Sequence, residues 1–345
     1  MTDSRKRLET LHSMKRRTPW HDYHRQGTYM LTLVVNERMP LFGELKGNPD
    51  LSTVSKDKPY IEHSILGKCI LNEEIQKIHL YYPMVEVWKV CIMPDHIHII
   101  VRVNEDMPED KHLGKVIAGF KAGCNRAYWR LFNINETPRK GLFEAGYNDK
   151  ILIHDNQLDN WKAYLDDNPR RLYIKRNNPQ LFTVLHNMEV AGRNCQIIGH
   201  RFLLDIPDKM AVIVPRSFTD EDNARLREEW LACGERGGVR VSASIAPKER
   251  EVLREAMNRG YRIILLRENG FPKLYKPSGE SFNACSAGLL LQVSPWPFHM
   301  EKRVITRSQC LELNSMACPL YRSDAADDRT WLDLDARRLV KKKNI

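Results

Sequence analysis

The sequence has no long apolar run and no paired cysteine motif. No stretch approaches the ~20 consecutive apolar residues that a membrane-spanning helix needs, so a membrane protein is excluded. The eight cysteines are scattered singly without a C-x-x-C pair, which argues against a disulfide framework and a zinc ribbon. The first twenty residues carry basic charges with no apolar segment behind them, and a secretory signal peptide needs such a segment. We therefore expect a cytoplasmic protein.

Two common nucleotide-binding motifs are also missing. The sequence contains neither the P-loop pattern GxxxxGK[ST] nor a complete GxGxxG, so an ATPase and a dinucleotide-dependent oxidoreductase have no motif to support them.

Positively charged residues, by contrast, outnumber negatively charged ones. The 54 lysines and arginines against 44 aspartates and glutamates give a formal net charge of +10. A basic chain favours polyanionic partners, so nucleic acid is the first candidate.

Hydrophobic patterning divides the 345 residues into several parts, as expected for a chain longer than one ordinary domain. We predict a basic arm over 1–19, a first domain over 20–186, a second domain over 187–318 and a tail over 319–345. The first domain shows strand, helix, strand, strand and helix patterns, with a further strand near 150–153. This order is the ferredoxin-like split βαβ pattern, an α+β arrangement of an antiparallel sheet with helices.

The second domain has a different pattern. Strand-like apolar runs alternate with helical segments, including helices predicted over 219–232 and 247–258. Alternation of this kind predicts an α/β domain with a largely parallel sheet. The segment between Phe182 and residue 187 carries no predicted element.

Two histidines form the first candidate site. In MPDHIHIIV, His96 and His98 are separated by one residue of a strand-like run, so the period of two places both imidazoles on one sheet face. Two neutral imidazoles side by side can hold a divalent metal ion. An H-x-H triplet also arises by chance, and a core role for the histidines stays open.

A tyrosine helix is predicted downstream, in WKAYLDDNPRR. It should begin after Asp155 and Asn156 and end at Asn168, because Pro169 follows. Tyr164 and Asn168 are four residues apart and project from nearly the same side of the helix. The alternatives are that the tyrosine is an aromatic residue at the edge of the core and that the asparagine merely ends the helix.

The ordered combination of MPDHIH, a basic helix, LFEAGYND and YLDDNP resembles the single-tyrosine HUH transposases, particularly the REP-associated tyrosine transposase branch, over about residues 20–185. The resemblance implies a ferredoxin-like HUH domain in which His96 and His98 bind Mg²⁺ or Mn²⁺. It also implies that Tyr164 is the nucleophile. Asn168 occupies the position where relatives supply a polar third ligand.

The resemblance implies an enzyme that cleaves and transfers single-stranded or hairpin DNA through a 5′-phosphotyrosine intermediate, in DNA transposition or in a DNA-processing task derived from it. A phenol is almost wholly protonated at neutral pH, so such a nucleophile needs activation. Tyr147 is the competing nucleophile, and we rank it second because Gly146 and Asn148 favour a turn. The family contains dimers as well as monomers, so a homodimer is one of the expected states.

Basic residues lie close to both predicted elements. We expect them to contact DNA phosphates without reading base sequence. On the basic helix and directly after the tyrosine helix, they are Lys121, Arg126, Arg130, Arg170, Arg171 and Lys175. Charge runs of this kind are also typical of solvated surfaces.

The second domain, through GGVRVSASIAPKEREVLREAMNRGYRIILL and GLLLQVSPW, is similar to the Rossmann-like SLOG and DNA-processing-protein-A group over about residues 200–318. The resemblance implies that its strand ends and glycine turns bind a nucleotide or single-stranded DNA. Two other functions stay open. One is a noncatalytic nucleic-acid-binding protein whose histidines are core residues, and the other is a nucleotide-sensing regulator dominated by the second domain.

Overall fold

The computed structural model describes residues 18, 21–47, 58–214, 219–272, 275–301 and 303–321. Contacts divide the chain into two units, with the division between Ile174 and Lys175. The predicted basic arm, apart from Thr18, lies outside the described residues, as does the predicted tail beyond Tyr321. Within the described part of the chain, no helix is long and apolar enough to span a membrane.

An antiparallel four-stranded sheet forms the centre of the first unit, in the order β4-β5-β1-β6. A separate hairpin pairs β2 with β3. The strands are β1 (Gly27–Val34), β2 (Gly43–Lys46), β3 (Tyr60–His63), β4 (Val85–Met93), β5 (His96–Val103) and β6 (Asn148–Ile151). Strand β6 therefore begins two residues before the strand predicted at 150–153.

Four α-helices and one π-helical turn belong to the segments that connect and follow these strands. They are α1 (Ile65–Cys69), the π-helical turn Ile70–Glu74, α2 (Ile75–Tyr81), α3 (Leu113–Leu131) and α4 (Gln157–Asn177). The central-sheet elements thus follow one another as strand, helix, strand, strand, helix, strand, which is the predicted order. The first unit is a mixed structure of antiparallel strands and helices.

Successive side chains of β1 and β5 point to opposite sides of the central sheet, so the sheet has two different faces. One face packs against α1, α2 and α3 in the main core of the unit, through residues such as Leu31 and Ile99. The opposite face packs against α4, where Met30 and Ile100 contact Leu165. We call this second side the histidine face, and it is defined by Met30, Thr32, His96, His98 and Ile100.

Helix α4 is longer than the sequence predicts. It runs over Gln157–Asn177 with Pro169 in its interior, whereas we expected it to end before the proline. Proline cannot donate to the carbonyl four residues earlier, which normally costs about 3 kcal/mol in a helix interior. Leu165 is buried on one side of the proline, and an ion pair between Asp167 and Arg170 spans it. These contacts outweigh the local preference of the proline.

The first helical segment begins later than its periodicity suggests. Ile61, Ile65 and Cys69 recur at helical spacing in the sequence, which predicts a helix from residue 61. Tyr60–His63 instead pair as a strand with Gly43–Lys46. The helix begins at Ile65, where the side chain of Ser64 accepts a hydrogen bond from the backbone N–H of Gly67. Strand pairing and this N-cap together fix the start of α1.

A six-stranded sheet forms the centre of the second unit, in the order β7-β8-β12-β11-β10-β9. Strands β9 to β12 are parallel to one another, whereas β8 is antiparallel to both β12 and β7. The strands are β7 (Leu185–Val190), β8 (Arg193–Gly199), β9 (Lys209–Ala211), β10 (Val239–Ser242), β11 (Arg262–Leu266) and β12 (Leu290–Ser294). The helices are α5 (Asp220–Glu235), α6 (Pro247–Asn258), α7 (Gly279–Ser286) and α8 (Arg307–Tyr321).

The alternation of β9 to β12 with α5 to α7 agrees with the sequence pattern, and α6 has the predicted bounds. The β7–β8 hairpin was not predicted. Its turn lies at Ala191 and Gly192, which both have positive φ values, of 52° and 70°. Pairing of this sheet begins at Leu185, two residues before the expected start of the second domain.

Candidate active site

His98 is held by the strand beside it. It is buried on the histidine face of β5, and the β1–β5 register places it opposite Thr32. The Thr32 hydroxyl oxygen lies 2.8 Å from His98 Nδ1, at hydrogen-bond distance. Burial, with a further contribution from the charge of His96, lowers the pKa of His98 to about 3. The His98 imidazole is therefore neutral at physiological pH.

His96 is held by the residue before it. Its Nδ1 lies 2.6 Å from Asp95 Oδ1, and the second oxygen of this carboxylate is 3.2 Å from the guanidinium of Arg38. Burial opposes ionisation of Asp95, but hydrogen bonds and charge attraction from His96 and Arg38 outweigh it and lower the pKa of Asp95 to about 2. Asp95 is therefore a carboxylate that orients the His96 ring.

The two imidazoles lie next to each other with their Nδ1 atoms already engaged. Their ring centroids are 4.8 Å apart, with the rings nearly perpendicular. Because Thr32 and Asp95 occupy the Nδ1 atoms, the Nε2 atoms are the nitrogens left to bind a ligand. Histidines that bind metal ions usually have their other ring nitrogen bonded in this way.

Tyr164 lies beside this pair. It projects from α4, and its ring centroid is 5.7 Å from that of His98. The side chain is 37% exposed, so a large substrate can reach the phenol. The guanidinium of Arg171 lies 5.5 Å from the centroid of the same ring. The phenol therefore has an imidazole and a guanidinium as neighbours.

Asn168 brings an amide to the same face. It is 5% exposed and lies one helical turn after Tyr164 on α4. Its amide is beside the thiol of Cys91, which pairs with His98 in the β4–β5 register. Within the described residues, Asn168 Nδ2 is buried without a hydrogen-bond partner. A buried amide N–H that lacks a hydrogen-bond partner costs about 1–3 kcal/mol of stability.

The groups on the histidine face that could bind a metal ion are two imidazoles and one amide. Across the described ranges, no three His, Cys, Asp or Glu side chains are grouped so that they could hold a metal ion. The donors that this face presents are Nε2 of His96 and Nε2 of His98, with the amide of Asn168 on α4. Amide, water and phosphate oxygens suit Mg²⁺ or Mn²⁺, whereas imidazole nitrogens are the donors that Zn²⁺, Fe²⁺, Cu²⁺ and Ni²⁺ prefer. Mg²⁺ or Mn²⁺ is the ion that the resemblance implies.

The competing nucleophile lies elsewhere. Tyr147 precedes β6 and packs against the main core, on the side of the sheet that faces α1, α2 and α3. The histidines lie on the opposite face. The structure thus brings Tyr164, and not Tyr147, beside His98.

The basic residues predicted to contact DNA are distributed over both faces of the sheet. Lys121, Arg126 and Arg130 lie on α3, whose buried side packs on the face opposite the histidines. The Lys121 ammonium donates hydrogen bonds to the backbone carbonyls of Glu144 and Gly146. Burial lowers the pKa of Lys121 to about 8. Lys121 thereby fastens the segment before β6, whereas Arg126 and Arg130 are exposed.

The other three predicted contacts lie on α4. Arg170 binds Asp167 through two nitrogens, at 2.5 and 3.0 Å. Arg171 is 8% exposed and makes a cation–π contact with the ring of Tyr164. Lys175 is half-buried in the last turns of the helix. Arg170 and Arg171 are therefore carried by the same helix as the phenol.

Comparison with known proteins gives partial structural similarity only. No protein-family model matches the chain, and no curated protein matches it. A REP-associated tyrosine transposase bound to a REP hairpin is 16% identical, with 44% of this chain and 73% of that chain covered at a TM-score of 0.28. A candidate transposase from Deinococcus radiodurans R1 is 12% identical, with 44% and 96% covered at a TM-score of 0.26.

A third similar structure is DNA processing protein A from Helicobacter pylori, described for its single-stranded DNA binding mode. It is 18% identical, with 40% of this chain and 65% of that chain covered at a TM-score of 0.30. At these identities and TM-scores, similarity does not assign a function to the chain.

Several residues of the site were not predicted from the sequence. Thr32 and Asp95 orient the histidines, Arg38 binds Asp95, and the charge of Lys150 acts on His98. Asp95 could have been found, because it directly precedes His96. Thr32 and Lys150 come close to the histidines only through strand register, which the sequence does not specify.

Proposed function

We propose that the chain is a metal-dependent enzyme that cleaves and rejoins single-stranded DNA through Tyr164, like the HUH transposases that its first domain resembles. One observation carries this proposal. The Tyr164 ring lies 5.7 Å from His98, a neutral histidine that is paired with His96. A phenol beside two imidazoles with available Nε2 atoms combines a nucleophile with a metal-binding pair.

The histidines and Asn168 would hold Mg²⁺ or Mn²⁺. When bound, the ion supplies Lewis-acid polarisation of the scissile phosphate. Thr32 and Asp95 keep the imidazoles oriented with Nε2 toward the ligand. The low pKa of His98 keeps the ring neutral, so one of its two nitrogens carries no proton and can bind a cation.

Tyr164 performs the covalent step. Its oxygen attacks the phosphorus of the phosphodiester while the bond from phosphorus to the 3′-oxygen breaks. The phenol loses its proton and the leaving 3′-oxygen gains one, so the products are a 5′-phosphotyrosine and a free 3′-OH. A second 3′-OH can then displace Tyr164. The phosphotyrosine retains the energy of the phosphodiester, so rejoining requires no ATP.

Cations on α4 would hold the strand. Arg170, Arg171 and Lys175 are proposed to contact phosphates of single-stranded or hairpin DNA, and the exposed Lys150 adds a charge on the histidine face. The proposed organisation is an HUH-type domain followed by a Rossmann-like domain that binds a nucleotide or DNA. DNA transposition, or DNA processing by the same chemistry, is the corresponding activity.

Formation of a covalent adduct tests this proposal. The purified chain is incubated with a labelled hairpin-bearing single strand in Mg²⁺ or Mn²⁺, and the products are separated on a denaturing gel. We expect an adduct with the wild type and with Tyr147→Phe, and none with Tyr164→Phe or with chelator. Tyr164→Phe should still bind DNA. A noncatalytic binding protein would form no adduct in any lane, and an adduct with Tyr164→Phe would refute the assignment of the nucleophile.

A further inference from the structure

Arg171 is a buried charge next to the proposed nucleophile. It lies seven residues after Tyr164 on α4, which is two helical turns, so both side chains are on the same side of the helix. Its exposure is 8%, although arginine is almost never fully buried unless it is paired or stacked. Its guanidinium carbon lies over the Tyr164 ring, 5.5 Å from the ring centroid, in a cation–π contact. The phenol ring thus contacts a cation as well as His98.

The adjacent arginine has a different environment. Arg170 forms a two-nitrogen hydrogen bond with the Asp167 carboxylate. The nearest nitrogen of Arg171 is 3.9 Å from the same carboxylate. Asp167 is therefore bound more closely by Arg170 than by Arg171, and the guanidinium of Arg171 lies against the aromatic ring.

We propose that Arg171 is a catalytic residue of the Tyr164 reaction: its guanidinium stabilises the negative charge that develops on the phenol oxygen and then binds a non-bridging oxygen of the phosphate joined to it. This inference rests on the proposed function. It gives Arg171 a role in the chemical step, beyond general attraction of DNA.

A cation at this position would stabilise the charge that moves during the step. As the bond from the phenol oxygen to phosphorus forms and the bond to the 3′-oxygen breaks, negative charge passes from the phenol oxygen to the phosphate oxygens. A planar guanidinium can stack on the ring and direct two N–H groups at those oxygens. A fixed donor aimed at developing charge stabilises the transition state more than the ground state. Lysine retains the charge but not the planar geometry.

Three variants test the inference: Arg171→Gln, Arg171→Lys and Arg176→Gln. The last is the matched control, because Arg176 is exposed on the same helix. Single-strand affinity is measured by fluorescence anisotropy, and the rate of adduct formation is measured at saturating DNA. We expect adduct formation to be about 100-fold slower with Arg171→Gln and about 10-fold slower with Arg171→Lys, with Arg176→Gln within about twofold of wild type.

The outcomes separate the two claims. If the wild type forms no adduct, the proposed function is wrong, and this inference, which depends on it, is wrong as well. If Arg171→Gln forms the adduct as fast as the wild type at saturating DNA, the inference is overturned and the proposed function is not. This holds even if Arg171→Gln has a lower affinity for single-stranded DNA. Thermal melting checks folding. If Arg171→Gln does not fold, Arg171→Lys decides, and a wild-type rate for that variant also overturns the inference.

Discussion

At the scale of single residues, the candidate site depends on two side chains that contact histidines without being proposed ligands. Thr32 engages His98 Nδ1 and Asp95 engages His96 Nδ1. Each contact determines which ring nitrogen remains available. A ligand-binding histidine without such a partner would rotate more freely and lose affinity.

Thr32→Val tests this role, because valine has the shape of threonine without its hydroxyl. We expect the affinity for Mn²⁺ to fall about 10- to 100-fold, measured by isothermal titration calorimetry. Thr28→Val is the matched control on the same strand and face, since Thr28 accepts a hydrogen bond from Arg102 and contacts neither histidine. Equal Mn²⁺ affinity for wild type and Thr32→Val would show that the hydroxyl does not orient His98.

Lys121 gives a second prediction at this scale. Its ammonium bonds two backbone carbonyls, so Lys121→Met should lower the free energy of unfolding by about 1–3 kcal/mol. Chemical denaturation measures this change. Arg126 is exposed on the same helix, so Arg126→Gln is the control, and its free energy of unfolding should stay within about 0.5 kcal/mol of the wild-type value. Reduced DNA affinity of Lys121→Met at unchanged stability would instead support a phosphate contact.

At the scale of elements, periodicity predicted the order of strands and helices along the first domain better than it predicted where each element ends. The period of two in β5 was sufficient to place His96 and His98 on one face. It could not reveal that α4 continues through Pro169, because that depends on tertiary contacts of Leu165 and on the Asp167–Arg170 pair. The β7–β8 hairpin was missed because Ala191, at the first turn position with positive φ, is not the Asn, Asp or Gly that such a two-residue turn favours.

The start of α1 provides a test at the scale of elements. A methyl group on Gly67 would lie 2.3 Å from the backbone oxygen of Phe42, so Gly67→Ala should lower the free energy of unfolding by about 2 kcal/mol or more. Gly119→Ala is the matched control in α3, where the nearest atom, the Tyr82 hydroxyl, is 3.7 Å away.

Gly119→Ala should raise the free energy of unfolding by about 0.5–1 kcal/mol, because alanine is the better helix former. Thermal or urea denaturation of both variants measures the difference. If Gly67→Ala were as stable as Gly119→Ala, α1 would not approach the Phe42 backbone as closely as described.

At the scale of the whole molecule, composition predicted two parts and a polyanionic partner, but it could not locate the contacts. The net charge of +10 is a property of the entire chain. Folding places the cations of α3 and those of α4 on opposite faces of the sheet. The division between the two units falls after Ile174, inside α4, whereas the predicted second domain begins at residue 187.

The central claim, that Tyr164 of the intact chain becomes joined to DNA, has a direct test. The Mn²⁺ reaction is digested with nuclease and trypsin, and the peptides are analysed by mass spectrometry. Trypsin cleaves after Lys162 and Arg170 and also after Lys140 and Lys150, so Tyr164 and Tyr147 fall in separate peptides, each with a single tyrosine.

The account predicts that the nucleotide mass is found on peptide 163–170, only when the metal ion is present. Peptide 141–150 should be recovered unmodified from the same digest. Nucleotide on peptide 141–150, or an adduct from which peptide 163–170 is recovered only in unmodified form, would contradict the account.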